Sequence, residues 1–175
     1  MVANAWQDHS YTQLVGDVQL LFTMESASFD VILCHNVLEY VDDKETIVKE
    51  LARVLKPGGI LSVVKHNRPG RVMQMAVLLD DFAKANALLD GENSSASKFG
   101  AIRYYENTDL VQWAPELTLQ EVWGLRTFWD LQQNQDKHAD AAWQEQMIQL
   151  EMRVAQMSPY RDIAFFHHLL CVKSL

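Results

Sequence analysis

The chain is short of cysteine, of positive charge and of grouped glycine. Two cysteines in 175 residues, Cys34 inside an apolar run and Cys171 near the end, supply neither a disulfide framework nor the spacing of a zinc site. A reducing, cytoplasmic setting is the expectation. Fifteen lysines and arginines against 23 aspartates and glutamates leave a net charge of −8. That balance argues against a simple electrostatic clamp on nucleic acid or an anionic membrane, while leaving room for a local basic groove. No apolar run approaches the roughly 20 residues that span a bilayer, and MVANAWQDHS has neither a basic n-region nor an apolar h-region. No membrane partner is expected. The seven glycines, at 16, 58, 59, 70, 91, 100 and 124, nowhere fall into GxGxxG or a spaced pair of that type.

What is present is globular. Hydrophobic residues make up 49% of the chain and five tryptophans run from Trp6 to Trp143. A chain of this length hides about 70% of its unfolded surface and fits one domain, or a large piece of one. Residues 1 to 10 suit the end of a helix, and YTQLVGDVQLL offers a short strand ending near Gly16 and Asp17. The run Phe29 to Cys34, interrupted only by Asp30, reads as a strand covered on both faces. In DDKETIVKELARVLK, Ile47, Val48, Leu51, Val54 and Leu55 form the apolar stripe of a helix, capped by Asp42 or Asp43. Pro57 disfavours helical geometry at Lys56, and Gly58 and Gly59 allow a tight reversal into the strand Ile60 to Val64. Residues 29 to 64 are therefore one strand, helix, strand unit with a parallel crossover.

Beyond NRPG, RVMQMAVLLDDFAKANALL is rich in helix formers, and DGENSSASKFG is the most loop-like stretch. NTDLVQWA suits a short capped helix, and LTLQEVWGLRTF a strand with imperfect alternation. AAWQEQMIQLEMRVAQM places Trp143, Met147, Leu150, Val154 and Met157 on one face, expected to be core, before Ser158 and Pro159. IAFFHHLLCV closes the chain as a last strand. His167 and His168 point to opposite faces of it and are read as structural.

The run FDVILCHNVLEYVDD, the helix after it and LKPGGILSVV together resemble the middle of class I S-adenosylmethionine-dependent methyltransferases. The resemblance covers nearly the whole chain. It implies an α/β, Rossmann-like sheet, mostly parallel with an antiparallel terminal strand, lacking the first strands. It also implies S-adenosyl-L-methionine as cofactor and no metal. By this resemblance residues 1–175 are the C-terminal portion of a single methyltransferase domain, with a helical and loop substrate-side insertion around 68–115. HNVLEYV, NRPG, GLRTFWD and LEMRVAQMSPY are further similar to the bacterial tRNA 5-carboxymethoxyuridine methyltransferase group, which esterifies the acid side chain of a modified wobble uridine. A small-molecule methyltransferase, an inactive remnant or partner subunit, and another α/β binding domain stay open as alternatives.

The resemblance has a gap. The first strand, its glycine-rich loop and the acidic residue that holds the ribose have no counterpart, so the chain begins about where a third strand is expected, and Met1 reads as an internal methionine of a longer ancestor. The family match puts Val15, Gly16 and Asp17 beside the adenine, with His35 and Asn36 beside the ribose and methionine portion. An anionic, stacked acceptor calls for arginines and aromatics, and the matching segments offer Arg71, Arg126, Trp129 and Tyr160. Neither His35 nor His66 is required as a base, because a carboxylate attacking a sulfonium methyl has no proton to lose. The catalytic residues are left unknown. A sheet without its first strands has a bare edge, which invites self-association or pairing with another chain, and tRNA is the expected substrate-side partner.

Overall fold

The structure, a computed structural model, describes residues 11–96 and 100–175; the helix end expected in residues 1 to 10 lies outside them. The strand, helix, strand unit forms as expected. β1 (Phe29–His35) leads through α1 (Lys44–Val54) to β2 (Leu55–His66), and the two strands pair in parallel. Of the two candidate caps, Asp43 accepts from the Thr46 amide at 3.0 Å, while Asp42 pairs with Arg103 at 2.8 Å. β2 takes up the LKPGG turn: Phe29 lies opposite Leu55 but Val31 opposite Ile60, so Lys56 to Gly59 bulge out of the ladder. Gly58 stands there at φ 75°, a left-handed conformation open to glycine.

After β2 come α2 (Arg68–Val77), α3 (Phe82–Leu89), a small hairpin of β3 (Ser94–Ala96) and β4 (Gly100–Ile102), and α4 (Asp109–Trp113). The chain then runs through β5 (Leu117–Leu125), α5 (Gln135–Ala139), α6 (Ala141–Val154) and β6 (Phe166–Lys173). The main sheet has the order β1-β2-β6-β5, with β6 antiparallel to both of its neighbours. Three strands thus point one way and the terminal strand opposes them. The register of β5 slips between Leu119 and Glu121, where the sequence alternation is imperfect.

One face of this sheet carries the core. Cys34, Leu61, Val63, Leu169 and Cys171 pack with Ile47, Val48 and Leu51 of α1 and with Leu110 of α4. Each fully buried side chain of this kind contributes about 1.5–3 kcal/mol. The opposite face is different: Val31 and Leu33 of β1 are 53% and 68% exposed, and Ile60 beside them is also exposed. This corrects the expectation that β1 is covered on both faces. Among the described residues β1 has one strand neighbour, and the alternate residues 31 and 33 meet solvent.

Two further expectations are corrected. No strand forms at residues 11 to 17; Val18–Thr23 is a 3-10 helix, because Asp17 accepts from the Gln19 amide at 2.9 Å and starts a helical turn. The apolar stripe of α6 is not core, since only Val154 of it is buried while Leu150 and Met157 are exposed, and the helix ends at Val154, short of Ser158. Periodicity reports an apolar face, not what covers it. No helix among the described residues is long and apolar enough to cross a membrane.

Candidate functional site

In open α/β sheets ligands sit beyond the carboxyl ends of the strands. At that end His66 of β2 lies opposite Phe166, the first residue of β6, and Phe166 lies opposite Leu125, the last of β5. A groove of about 550 Å³ opens here, between this end of the sheet and α6. Trp123, Trp129 and Phe166 line it from the sheet side with Asn36 and Arg126, and Ile148 and Met152 of α6 face them. The lining is apolar and aromatic with a few polar groups, the composition of a small-ligand site.

The cationic wall is built by local chain geometry. Arg126 follows the last residue of β5 with φ 60°, outside the range most side chains adopt, at a cost of about 1–3 kcal/mol. Its guanidinium pairs with Asp130 and lies 5.6 Å from the ring centroids of Phe165 and Phe166. Arg71, in the first turn of α2, bonds Gln74 through one nitrogen, while its Nε is buried with no partner among the described residues.

His66 sits between these cations. Its ring lies 4.8 Å from Phe166 and 5.5 Å edge-on from Phe165, and its Nε2 meets the Tyr40 hydroxyl at 3.3 Å. Burial, with Arg71 and Arg126 adding repulsion, pushes its pKa down to about 4 from 6.5. Below it the buried Glu39 accepts from the His66 amide at 2.8 Å and fixes the strand end, and burial raises its own pKa. The unfolded chain therefore takes up the His66 proton first as pH falls, and stability is lost from about pH 6.5 down to about pH 4. Glu39 acts in the opposite sense, gaining stability as it protonates. Urea midpoints at pH 7 and pH 5 separate the two: the drop on acidification is expected to be smaller in His66→Asn than in the parent chain.

Asn36, Arg126 and Trp129 line one groove. Asn36 follows β1 with φ 53°, and its amide donates to the Val64 carbonyl at 2.8 Å. His35 does not line the groove; its Nε2 meets the Ser62 hydroxyl at 2.9 Å, which in turn meets His168 at 2.7 Å. Tyr160 packs against Phe128 at 5.8 Å, and Arg71 stands beside His66. Val15, Gly16 and Asp17 are exposed ahead of the 3-10 helix. The sequence reading missed Trp123, Phe166, Ile148 and Met152 as groove residues. The strand ends point to the first two, but nothing in the sequence says that α6 turns its apolar face to a cavity. His167 is tied down by Asn107 and the Arg161 carbonyl, and no cluster of three or more His, Cys, Asp or Glu among the described residues is placed to hold a metal.

A methyltransferase cofactor needs a cradle for its methionine end and an acceptor for its ribose. The described residues fit it poorly: Asp17 spends a carboxylate oxygen on the Gln19 amide, a Cβ on Gly16 would meet the Leu20 side chain rather than a ligand cavity, and Asn36 alone faces the groove from β1.

A model of the methyltransferase domain family matches residues 1–63. The chain is 28% identical over 147 residues to the tRNA 5-carboxymethoxyuridine methyltransferase of Escherichia coli O157:H7, covering 82% of this chain and 54% of that protein. It is 38% identical over 64 residues to a ubiquinone biosynthesis O-methyltransferase of Xanthomonas oryzae pv. oryzae, covering 37% and 27%. The chain spans about half the length of the tRNA-modifying relatives it matches. Among solved structures, one from the complex between the Haloferax volcanii Trm112 methyltransferase activator and a methyltransferase has a TM-score of 0.50 at 18% identity, over 93% of this chain and 60% of that one. A Listeria monocytogenes S-adenosylmethionine-dependent methyltransferase has the same TM-score at 8% identity, and these two likenesses speak to the fold. The strand, helix, strand unit, the reversed terminal strand and these matches lead to one conclusion: the fold is that of the class I S-adenosylmethionine-dependent methyltransferases, and residues 1–63 match the methyltransferase domain family.

Proposed function

We propose that this chain is the C-terminal, acceptor-binding portion of a single methyltransferase domain that methylates the carboxylate of a modified wobble uridine in tRNA, in the cytoplasm. The observation that carries this is Arg126 and Trp129 lining one apolar groove at the strand ends. A guanidinium matches a carboxylate in geometry and charge, and an indole supports a splayed base. The 28% identical relative supports the same acceptor. These side chains need only hold and orient an acceptor that is already ionised, because its oxygen has no proton to give up. Residues 68–115, which form α2, α3, the hairpin and α4, are the substrate-side insertion in this reading. The test is binding of 5-carboxymethoxyuridine against 5-methoxyuridine, which lacks the carboxylate. The parent chain is expected to prefer the acid about tenfold, and Arg126→Ala to lose that preference; an equal response from both nucleosides would overturn the proposal.

The apolar faces of Ile148 and Met152 favour a second reading, a small aromatic acceptor, which binding of a catechol in place of the nucleoside would support. The exposed Val31 and Leu33 on an edge strand favour a third, a partner subunit that pairs through β1. A single monomeric species at all concentrations in sedimentation velocity would count against self-pairing.

A further inference from the structure

Glu151 lies in the last turn of α6, within the segment LEMRVAQMSPY. The negative end of the helix dipole makes this an unfavourable place for a carboxylate, so something outside the helix must hold it. Its Oε2 accepts from the Thr127 amide at 2.9 Å. Its Oε1 accepts from the Phe128 amide at 2.8 Å and the Trp129 amide at 2.9 Å. Three successive backbone N–H groups converging on one anion form a nest. The left-handed residue that turns the chain into it is Arg126, immediately before. Of the two groove residues of the acceptor reading, Arg126 therefore precedes the nest and Trp129 is its last member, and Glu151 borders the same groove. The Trp129 ring also packs 5.1 Å from Trp143, on the same helix.

We propose that Glu151 is a positioning residue: it grips the backbone of residues 127–129 from α6 and so sets the Arg126 guanidinium and the Trp129 indole in the groove wall. What the groove binds rests on the acceptor reading above; the grip does not. The charge and both oxygens matter. In Glu151→Gln one oxygen becomes an NH2 group, and either the Thr127 amide or the Phe128 and Trp129 amides then face a donor instead of an acceptor. The loop is expected to loosen while the strands keep their pairing.

Hydrogen exchange and nucleoside binding on the same samples test this. In the parent chain the amides of 127–129 are expected to be protected. In Glu151→Gln they should exchange at least about tenfold faster, with the amides of β2 and β6 unchanged. Glu145→Gln, an exposed change on the same helix, should leave both regions as they were. Affinity for 5-carboxymethoxyuridine should fall about tenfold in Glu151→Gln. Unchanged exchange at 127–129, or faster exchange spread through β2 and β6, would overturn the grip. Faster local exchange with unchanged nucleoside affinity would overturn its link to the groove. A parent chain that does not bind the nucleoside removes the acceptor reading, and the exchange result alone then decides whether Glu151 holds the loop.

Discussion

Gly70→Ala is expected to destabilise the protein by about 3 kcal/mol, where the same change in an exposed helix would stabilise it by up to about 1 kcal/mol. The sign reverses because Gly70 is buried in the first turn of α2, against the chain that enters β6. A Cβ built there would stand 2.2 Å from the Ala164 carbonyl oxygen, 2.7 Å from its carbon and 2.8 Å from the Phe165 Cα. All three are backbone atoms, so no rotamer change relieves the clash. Nor can the backbone slide easily. The Asn67 side chain donates to the carbonyls of Asp162 and Ala164 at 2.9 Å each, and the Asn67 amide donates to the Phe165 carbonyl at 3.0 Å. Moving α2 outward breaks these bonds and displaces Arg71 from His66. Urea unfolding measures the effect. A loss below about 0.5 kcal/mol would mean that α2 does not approach β6 this closely.

Leu169→Ala is expected to cost about 2–5 kcal/mol, whereas Leu33→Ala should cost under about 0.5 kcal/mol. The two leucines have the same chemistry and lie in the same sheet. Leu169 is fully buried on β6 within the core against α1, and truncating it leaves a cavity that the surrounding strands cannot fill. Leu33 is 68% exposed on the other face, so its methyl groups gain little on folding. Equal costs for the two would contradict a β1 that is packed on one face and open on the other.

The contrast between those leucines also explains what could be read from the residues alone. Local signals were legible: the apolar stripe of Ile47, Val48 and Leu51 gives α1, Pro57 with Gly58 and Gly59 ends it, and the family resemblance gives the antiparallel terminal strand, though not the strand order. Signals that depend on a neighbour were not. The run from Phe29 to Cys34 has the composition of a doubly covered strand, yet nothing among the described residues covers Val31 and Leu33. The stripe on α6 likewise stays half-buried or exposed apart from Val154, and it is Ile148, Met152 and Ala155, outside that stripe, that line the groove. At the candidate site the residue types needed for an anionic, stacked acceptor pointed to Arg71, Arg126, Trp129 and Tyr160, and of these Arg126 and Trp129 line the groove while Arg71 and Tyr160 do not. Glu151 was invisible because its role is made by three backbone amides, which carry no sequence signature.

Fold and present capacity are separate: a groove lined by Arg126 and Trp129 is formed at the strand ends, whereas the described residues offer no cradle for the cofactor. Titration of this 175-residue chain with S-adenosylhomocysteine, followed by calorimetry, tests that separation most directly. The predicted result is a Kd weaker than about 1 mM, because the sequence has no GxGxxG loop and no ribose-binding carboxylate stands at the groove among the described residues. A micromolar Kd, tighter by about 4 kcal/mol, would contradict it and place a working cofactor site within this chain.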